Sequence, residues 1–258
     1  MTSKLFRIGI AAGAILAAPL AVHAADLRAP SYKAPPYVAP VAYDWTGFYV
    51  GGNVGYGFGT ANVTSTVTPA GANDDAVAAA QSPSLSPKGF TGGLQAGYNY
   101  QMGSWVFGIE GDINYFGLKV SDTASGTYPV EGGTFTTSAT VKTDWLFTLR
   151  PRIGYAFDRF MVYGTGGLAM TSVKYDEEFS SSFAETESAS ASKMKIGWTA
   201  GVGAEYAIWS RWTVKAEYLY ADFGSISVDG VTNVNGVTFS HDIKLHSHIA
   251  RLGVNYTF

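Results

Sequence analysis

The sequence predicts an all-β protein, an eight-stranded antiparallel up-and-down transmembrane β-barrel with short periplasmic turns and long external loops. Three observations carry that expectation. Eight segments alternate apolar and polar residues at period two. In that register no Asp, Glu, Lys or Arg falls on the apolar face of any segment. And beyond the first two dozen residues no apolar run approaches the ~18 residues that a helical span needs.

In chain order, the start reads as an export signal. Lys4 and Arg7 give a basic opening, residues 8–18 an uncharged apolar run, and Val22-His23-Ala24 a small-x-small cleavage site, so residues 1–24 are expected to be a signal peptide. Residues 25–44 carry Pro30, Pro35, Pro36 and Pro40, which favour extended polyproline-like chain and forbid a helix. They are expected to be a periplasmic tether, with residues 45–258 forming the barrel.

Strand one, about residues 46–58, sets Phe48, Val50, Val54, Tyr56 and Phe58 against Gly51, Asn53, Gly55 and Gly57. Strand two, about 89–100, sets Phe90, Leu94, Ala96, Tyr98 and Tyr100 against Thr91, Gln95 and Asn99. Strand three, about 105–116, sets Trp105, Phe107, Ile109, Ile113 and Tyr115 against Glu110, Asp112 and Asn114. Strand four, about 143–156, sets Trp145, Phe147, Leu149, Ile153 and Tyr155 against Thr148, Arg150 and Arg152. In strand five, about 160–172, Phe160, Val162, Leu168 and Met170 oppose Tyr163, Thr165 and Thr171. In strand six, about 195–206, Ile196, Trp198, Val202 and Tyr206 oppose Thr199 and Glu205. In strand seven, about 211–221, Trp212, Val214, Ala216, Tyr218 and Tyr220 oppose Thr213, Lys215 and Glu217. Strand eight, about 246–258, closes the sequence with Leu252, Val254, Tyr256 and Phe258 opposite Ser247, Arg251 and Asn255.

A soluble barrel keeps apolar residues inside and charges outside. Here the uncharged face must look outward, because a Lys or Arg turned to lipid costs about 2–4 kcal/mol at the bilayer midplane. Short connections near residues 101–104, 157–159 and 207–210 alternate with connections of about 20–30 residues, as periplasmic turns and external loops do. Trp45, Trp105, Phe157, Phe160, Trp212 and Phe258 are expected in a periplasmic aromatic girdle, and Phe58, Phe90, Trp145 and Trp198 in an external one. Pro151 sits mid-strand without an N–H, which predicts a bulge or a local widening there.

Composition narrows function. Without the signal the formal charge moves from −3 to about −5, and Lys and Arg are scattered, so no nucleic-acid partner is expected. There is no Cys, hence neither a disulfide nor a lipid-modified cysteine.

The runs Trp45-Thr-Gly-Phe-Tyr-Val-Gly-Gly-Asn-Val-Gly-Tyr-Gly57, Gly92-Gly-Leu-Gln-Ala-Gly-Tyr-Asn-Tyr-Gln101, Val106-Phe-Gly-Ile-Glu-Gly-Asp112 and Arg251-Leu-Gly-Val-Asn-Tyr-Thr-Phe258 resemble the alphaproteobacterial outer-membrane immunogenic proteins, small porin-like barrels of OmpA-type architecture. The resemblance covers about residues 44–258 and implies an outer-membrane location and abundant surface antigens that support envelope integrity. It also implies porin activity in some members and haem binding in others. Arg150-Pro-Arg152 departs from the Arg-Gly-Arg expected of the family.

Four candidate chemistries follow. Glu110, Asp112, Arg150, Arg152, Glu205, Lys215, Glu217 and Arg251 face inward, either as a closed ion-paired plug or as the lining of a narrow channel for small solutes. Arg251, Gly253, Tyr256 and Phe258 form the candidate terminal signal for the barrel-assembly machinery. His241, His246 and His248 are candidate ligands for a metal or haem iron, against the plainer reading of a rim that meets lipopolysaccharide phosphates or water. Catalysis has the least support, since Ser240 beside His241 is adjacency in sequence and not a triad. No cofactor is expected. The expected partners are outer-membrane lipid, lipopolysaccharide, the assembly machinery and surface ligands at the loops. Residues 60–88 and 176–192 are expected to be solvated external loops with little buried apolar surface.

Overall fold

A computed structural model describes residues 42–68, 71–183, 186–231 and 238–258. The expected signal peptide, and the tether up to residue 41, lie outside the described residues. Ten strands and one helix follow in order: β1 (Gly47–Thr68), α1 (Ala72–Ala80), β2 (Ser84–Leu85), β3 (Lys88–Met102), β4 (Trp105–Phe116), β5 (Lys119–Thr127), β6 (Thr134–Phe157), β7 (Phe160–Ser181), β8 (Thr186–Ala207), β9 (Trp212–Val231) and β10 (Thr238–Thr257). Every pairing is antiparallel, and β1 pairs with both β3 and β10, so β1-β3-β4-β6-β7-β8-β9-β10 close into a ring of eight.

The turns at one end are short for identifiable reasons. Gly103 and Asp158 adopt positive φ (61° and 55°) in two-residue turns, a conformation that Gly and Asp tolerate best. Asp158 also anchors the incoming chain: its Oδ1 accepts from the Tyr43 N–H (2.8 Å) and its carbonyl accepts from Trp45 Nε1 (3.0 Å).

Around the lower ring the apolar face looks outward. Phe90 (76% exposed), Leu94 (69%) and Val54 (68%) sit on that surface, while the alternate positions are buried. Trp45 is an exception to the expected girdle. It is 3% exposed and turns into the barrel against Val106, Ala156, Met161, Tyr163 and Ala207, sealing the periplasmic end.

At the other end the strands run far past the expected boundaries, and there the pattern inverts. Inward Val63, Val141, Val173, Ile226, Ile243 and Leu245 are buried, while outward neighbours are Ser, Thr, Lys and Asp. This is the logic of a soluble barrel, appropriate where the wall meets water. The stretches expected to be solvated loops are therefore largely built structure: β1 continues to Thr68, α1 packs Val77 and Ala78 on Tyr128 and Phe135, and β7 and β8 pair as far as Ser180 and Thr186. Outward Ser121–Thr140, Thr123–Ser138 and Ser125–Thr136 hydroxyl pairs (2.9, 2.9 and 3.0 Å) lace β5 to β6. On one side the wall splits. Pairing of β8 with β9 stops at Trp198–Asp222, and beyond it Lys195 and Lys193 donate across the seam to the Ser225 and Ser227 carbonyls (2.6 and 2.8 Å).

Pro151 interrupts the ladder without inserting a residue. Its pairing with Ile109 on β4 is in register, and on β7 the register is the same at Leu149–Leu168 and at Arg152–Thr165. The two intervening pairs are missing, and both would need the N–H that Pro151 lacks. No bulge forms at Pro151; the register shift of this strand pair lies between Thr143 and Leu146, which the sequence reading did not anticipate.

Candidate functional site

The lumen is the candidate site, because every inward strand face of the ring empties into it. All eight charged residues expected there are buried, from Arg150 at 0% to Glu217 at 5% exposed. Four acids meet four bases. Arg150 contacts Glu110, Asp112 and Glu217 (2.7, 2.9 and 3.2 Å). Arg251 contacts Glu217 and Asp112 (2.6 and 3.1 Å). Lys215 sits on Glu110 (2.7 Å), and Arg152 on Glu205 (3.1 Å).

Burying so many charges is tolerable only when each is paired and hydrogen-bonded. Neutral partners meet most of that requirement, leaving Arg152 Nη2 without one among the described residues. The sequence reading puts Thr148, Asn99, Tyr163 and Asn255 on the inward face without a stated role, and it passes over Tyr49. Tyr49 donates its hydroxyl to Glu110 (2.9 Å), Tyr163 to Glu217 (3.0 Å) and Thr148 to Asp112 (2.6 Å). Asn99 accepts from Arg152 Nε (2.9 Å), and Asn255 donates to Glu205 (2.8 Å). The Arg152 guanidinium lies between the rings of Tyr49 and Tyr163, 4.8 and 5.1 Å from their centroids. Those two rings lie against Gly97 and Gly203, where any Cβ would collide with them. The available signal was strand parity: Tyr49, Asn99, Tyr163 and Asn255 share the face of the charged residues.

Above this layer the lumen is largely apolar, interrupted by Ser247 and by Thr91, Thr143, Thr171 and Thr199, whose hydroxyls donate to strand carbonyls. Phe116, Leu118, Leu146, Leu219, Phe223, Ile243, Leu245 and Ile249 are buried in one contiguous cluster, with Ala61, Val63, Leu85, Val141 and Val173. Higher still, α1 packs on Val67, Phe135 and Phe179. Four levels thus fill the barrel above the Trp45 cap: ionic, largely apolar, a second polar set of Thr137, Tyr175, Glu177 and His241, and helical.

The histidines do not converge. His241 points inward and is 2% exposed; its Nδ1 lies 2.7 Å from Ser65 Oγ and its Nε2 3.6 Å from Glu177. His246 and His248 are on the outward face, where His248 stacks on Phe58 (5.3 Å between centroids) and its Nδ1 lies 2.6 Å from the Tyr218 hydroxyl. Opposite faces of one strand cannot offer three ligands to a single ion, which corrects the expected metal or haem trio. Among the described residues no group of three or more His, Cys, Asp or Glu is placed to hold a metal.

The terminal-signal residues divide by parity. Arg251 and Gly253 face the lumen, while Tyr256 packs on Trp212 and Phe258 (5.1 and 5.3 Å between centroids) at the outward rim. The Phe258 N–H donates to the Phe48 carbonyl (3.0 Å), joining the end of the chain to β1.

Known proteins agree with this architecture. Residues 11–258 match the family model of the outer membrane protein beta-barrel domain. The chain is 38% identical over 231 residues to the 31 kDa outer-membrane immunogenic protein of Brucella melitensis, covering 86% of this chain and 88% of that one. It is 30% identical over 251 residues to the 25 kDa outer-membrane immunogenic protein of Brucella abortus, covering 96% of each. It is 32% identical over 222 residues to a 22 kDa outer membrane protein of Rhizobium leguminosarum, covering 85% and 82%.

Proposed function

The chain belongs to the family of outer-membrane protein β-barrel domains, and from that premise we propose that it works as a closed structural barrel without pore or enzyme activity. It is an outer-membrane protein of the surface-antigen type, like its immunogenic relatives. Its contribution to the envelope is mechanical: a rigid cylinder anchored by the apolar belt, carrying a Ser/Thr-faced extension into the medium. That extension is the surface available to ligands outside the cell. The terminal strand, with Tyr256 and Phe258 at its outward rim, is the segment offered to the barrel-assembly machinery.

One observation carries the reading, the stacked filling of the lumen. An ion-paired layer could rearrange to pass solutes, but the level around Phe116, Leu118 and Ile243 is largely apolar. The hydroxyls of Thr91, Thr143, Thr171 and Thr199 within it are already donated to strand carbonyls, which leaves little to hydrate a solute's path. The test is conductance of the purified protein in planar bilayers. No steady current is expected at moderate voltage. A stable open level would establish the channel reading instead.

A further inference from the structure

Four lysines stand directly opposite one another across consecutive strands. Lys88 on β3 pairs with Lys119 on β5, Lys119 with Lys142 on β6, and Lys142 with Lys174 on β7. All four point outward, and like charges set opposite each other weaken a sheet. Two are offset locally: Lys174 reaches Asp144 (2.6 Å) and Lys142 reaches Asp176 (3.4 Å). Lys88 and Lys119 have no ion pair among the described residues, and their strands lie ~4.8 Å apart. A row so arranged presents unneutralised positive charge to an anion from outside the chain.

Position identifies the source. The row lies just beyond the last outward apolar residues of β3, β4, β6 and β7, Phe90, Tyr115, Trp145 and Met170, and so where the hydrocarbon-facing surface ends. Below it, an outward groove of about 680 Å³ crosses β3 and β4, floored by Ala96 and Gly111 and walled by Val50, Leu94, Ile113 and Phe147. From Leu94 to Lys88 is six residues of strand, ~20 Å at the ordinary rise, the length of an acyl chain with its headgroup attached.

We infer that the Lys88–Lys119 pair, with Lys142 and Lys174 beside it, binds the phosphates of an outer-leaflet phosphorylated glycolipid whose acyl chain occupies the groove below. The inference rests on the outer-membrane reading and names a lipid site for it. Free phosphate would satisfy the lysines but leave the groove empty, so the headgroup and the chain are recognised together.

The full-length protein, extracted and reconstituted in nanodiscs, is incubated with a bisphosphorylated acylated disaccharide or with its dephosphorylated form, and retained lipid is counted by native mass spectrometry. Wild type is expected to retain the phosphorylated lipid. Lys88→Gln/Lys119→Gln is expected to lose roughly tenfold or more in retention, as two surface cations near anionic headgroups imply. Lys88→Arg/Lys119→Arg is expected to keep it, Gly111→Leu to weaken it by filling the groove, and millimolar inorganic phosphate not to displace it. Equal retention of the dephosphorylated lipid, or unchanged retention by the Gln pair, overturns the site. Heat-dependent gel mobility reports barrel integrity separately, so loss of the site and failure of the barrel are told apart.

Discussion

At the scale of single residues, Glu110 is the node of the ionic layer. Its carboxylate is within 4 Å of Arg150, Arg152, Lys215 and Arg251 (2.7, 3.7, 2.7 and 3.6 Å) and accepts from Tyr49. Removing one partner of a buried charge cluster leaves the others uncompensated, at a cost of about 3–5 kcal/mol. Glu110→Gln is therefore expected to lower the urea midpoint of the folded barrel in micelles, followed by tryptophan fluorescence. Glu110→Gln/Lys215→Met restores the balance of charge and is expected to recover much of the loss. If the double variant is no more stable than the single one, Lys215 is not the principal counter-charge of Glu110. The inward charges were legible because a strand allows only two faces and lipid forbids one of them to Arg150 or Glu217. The same parity placed Tyr163 and Asn99 inward but not on their charged partners, which lie on other strands, and Tyr49 was missed because a tyrosine suits the outward belt as well.

At the scale of elements, period two identified all eight transmembrane strands but stopped at the membrane boundary. Two irregularities explain why. Between Thr143 and Leu146 the β6 register shifts, so inward positions change from even numbers at Leu146, Thr148 and Arg150 to odd ones at Thr143, Val141 and Ala139. In β9 a similar change follows Gly224 at φ 66°, after which Ile226 is inward where Phe223 and Ala221 were. A reader holding one parity sees the apolar alternation dissolve, and Ser/Thr-rich outward positions then read as loop. Pro151 illustrates the converse, a conspicuous residue with a small consequence, because the backbone accommodates a missing donor without changing register. The β7 segment opposite it is Gly166-Gly167, and the two glycines are not equivalent. A Cβ on Gly167 would collide with the Leu149 carbonyl, whereas one on Gly166 meets its nearest atom at 3.4 Å. Gly167→Ala is expected to cost about 1–3 kcal/mol by forcing the strands apart. Gly166→Ala is expected to change stability by less than about 0.5 kcal/mol. Equal effects in parallel urea titrations would mean that the close approach beside Pro151 has no energetic weight.

For the whole molecule, closure is redundant, and redundancy is testable. The ionic layer around Glu110 and Arg150 and the apolar layer around Phe116 and Ile243 lie in series along one lumen. Barriers in series mean that removing either alone leaves the other intact. Arg150→Ala/Glu217→Ala removes one cation and one acid, so the layer stays neutral while it thins. Phe116→Ser/Leu118→Ser admits water to the apolar layer, since a hydroxyl-lined gap of that size offers the partners that water needs. Each pair is expected to leave the purified barrel silent in a planar bilayer. The four substitutions together, with Trp45→Ser to open the periplasmic cap and Val77→Ser/Phe135→Ser to loosen the helical layer, are expected to produce current, provided that heat-dependent gel mobility shows the barrel still folded. Steady current from the Arg150→Ala/Glu217→Ala pair alone would make the ionic layer the sole gate and return the molecule to the class of channels. Current from the Phe116→Ser/Leu118→Ser pair alone would mean that the salt bridges are already permeable, leaving the apolar cluster as the element that separates a structural barrel from a pore.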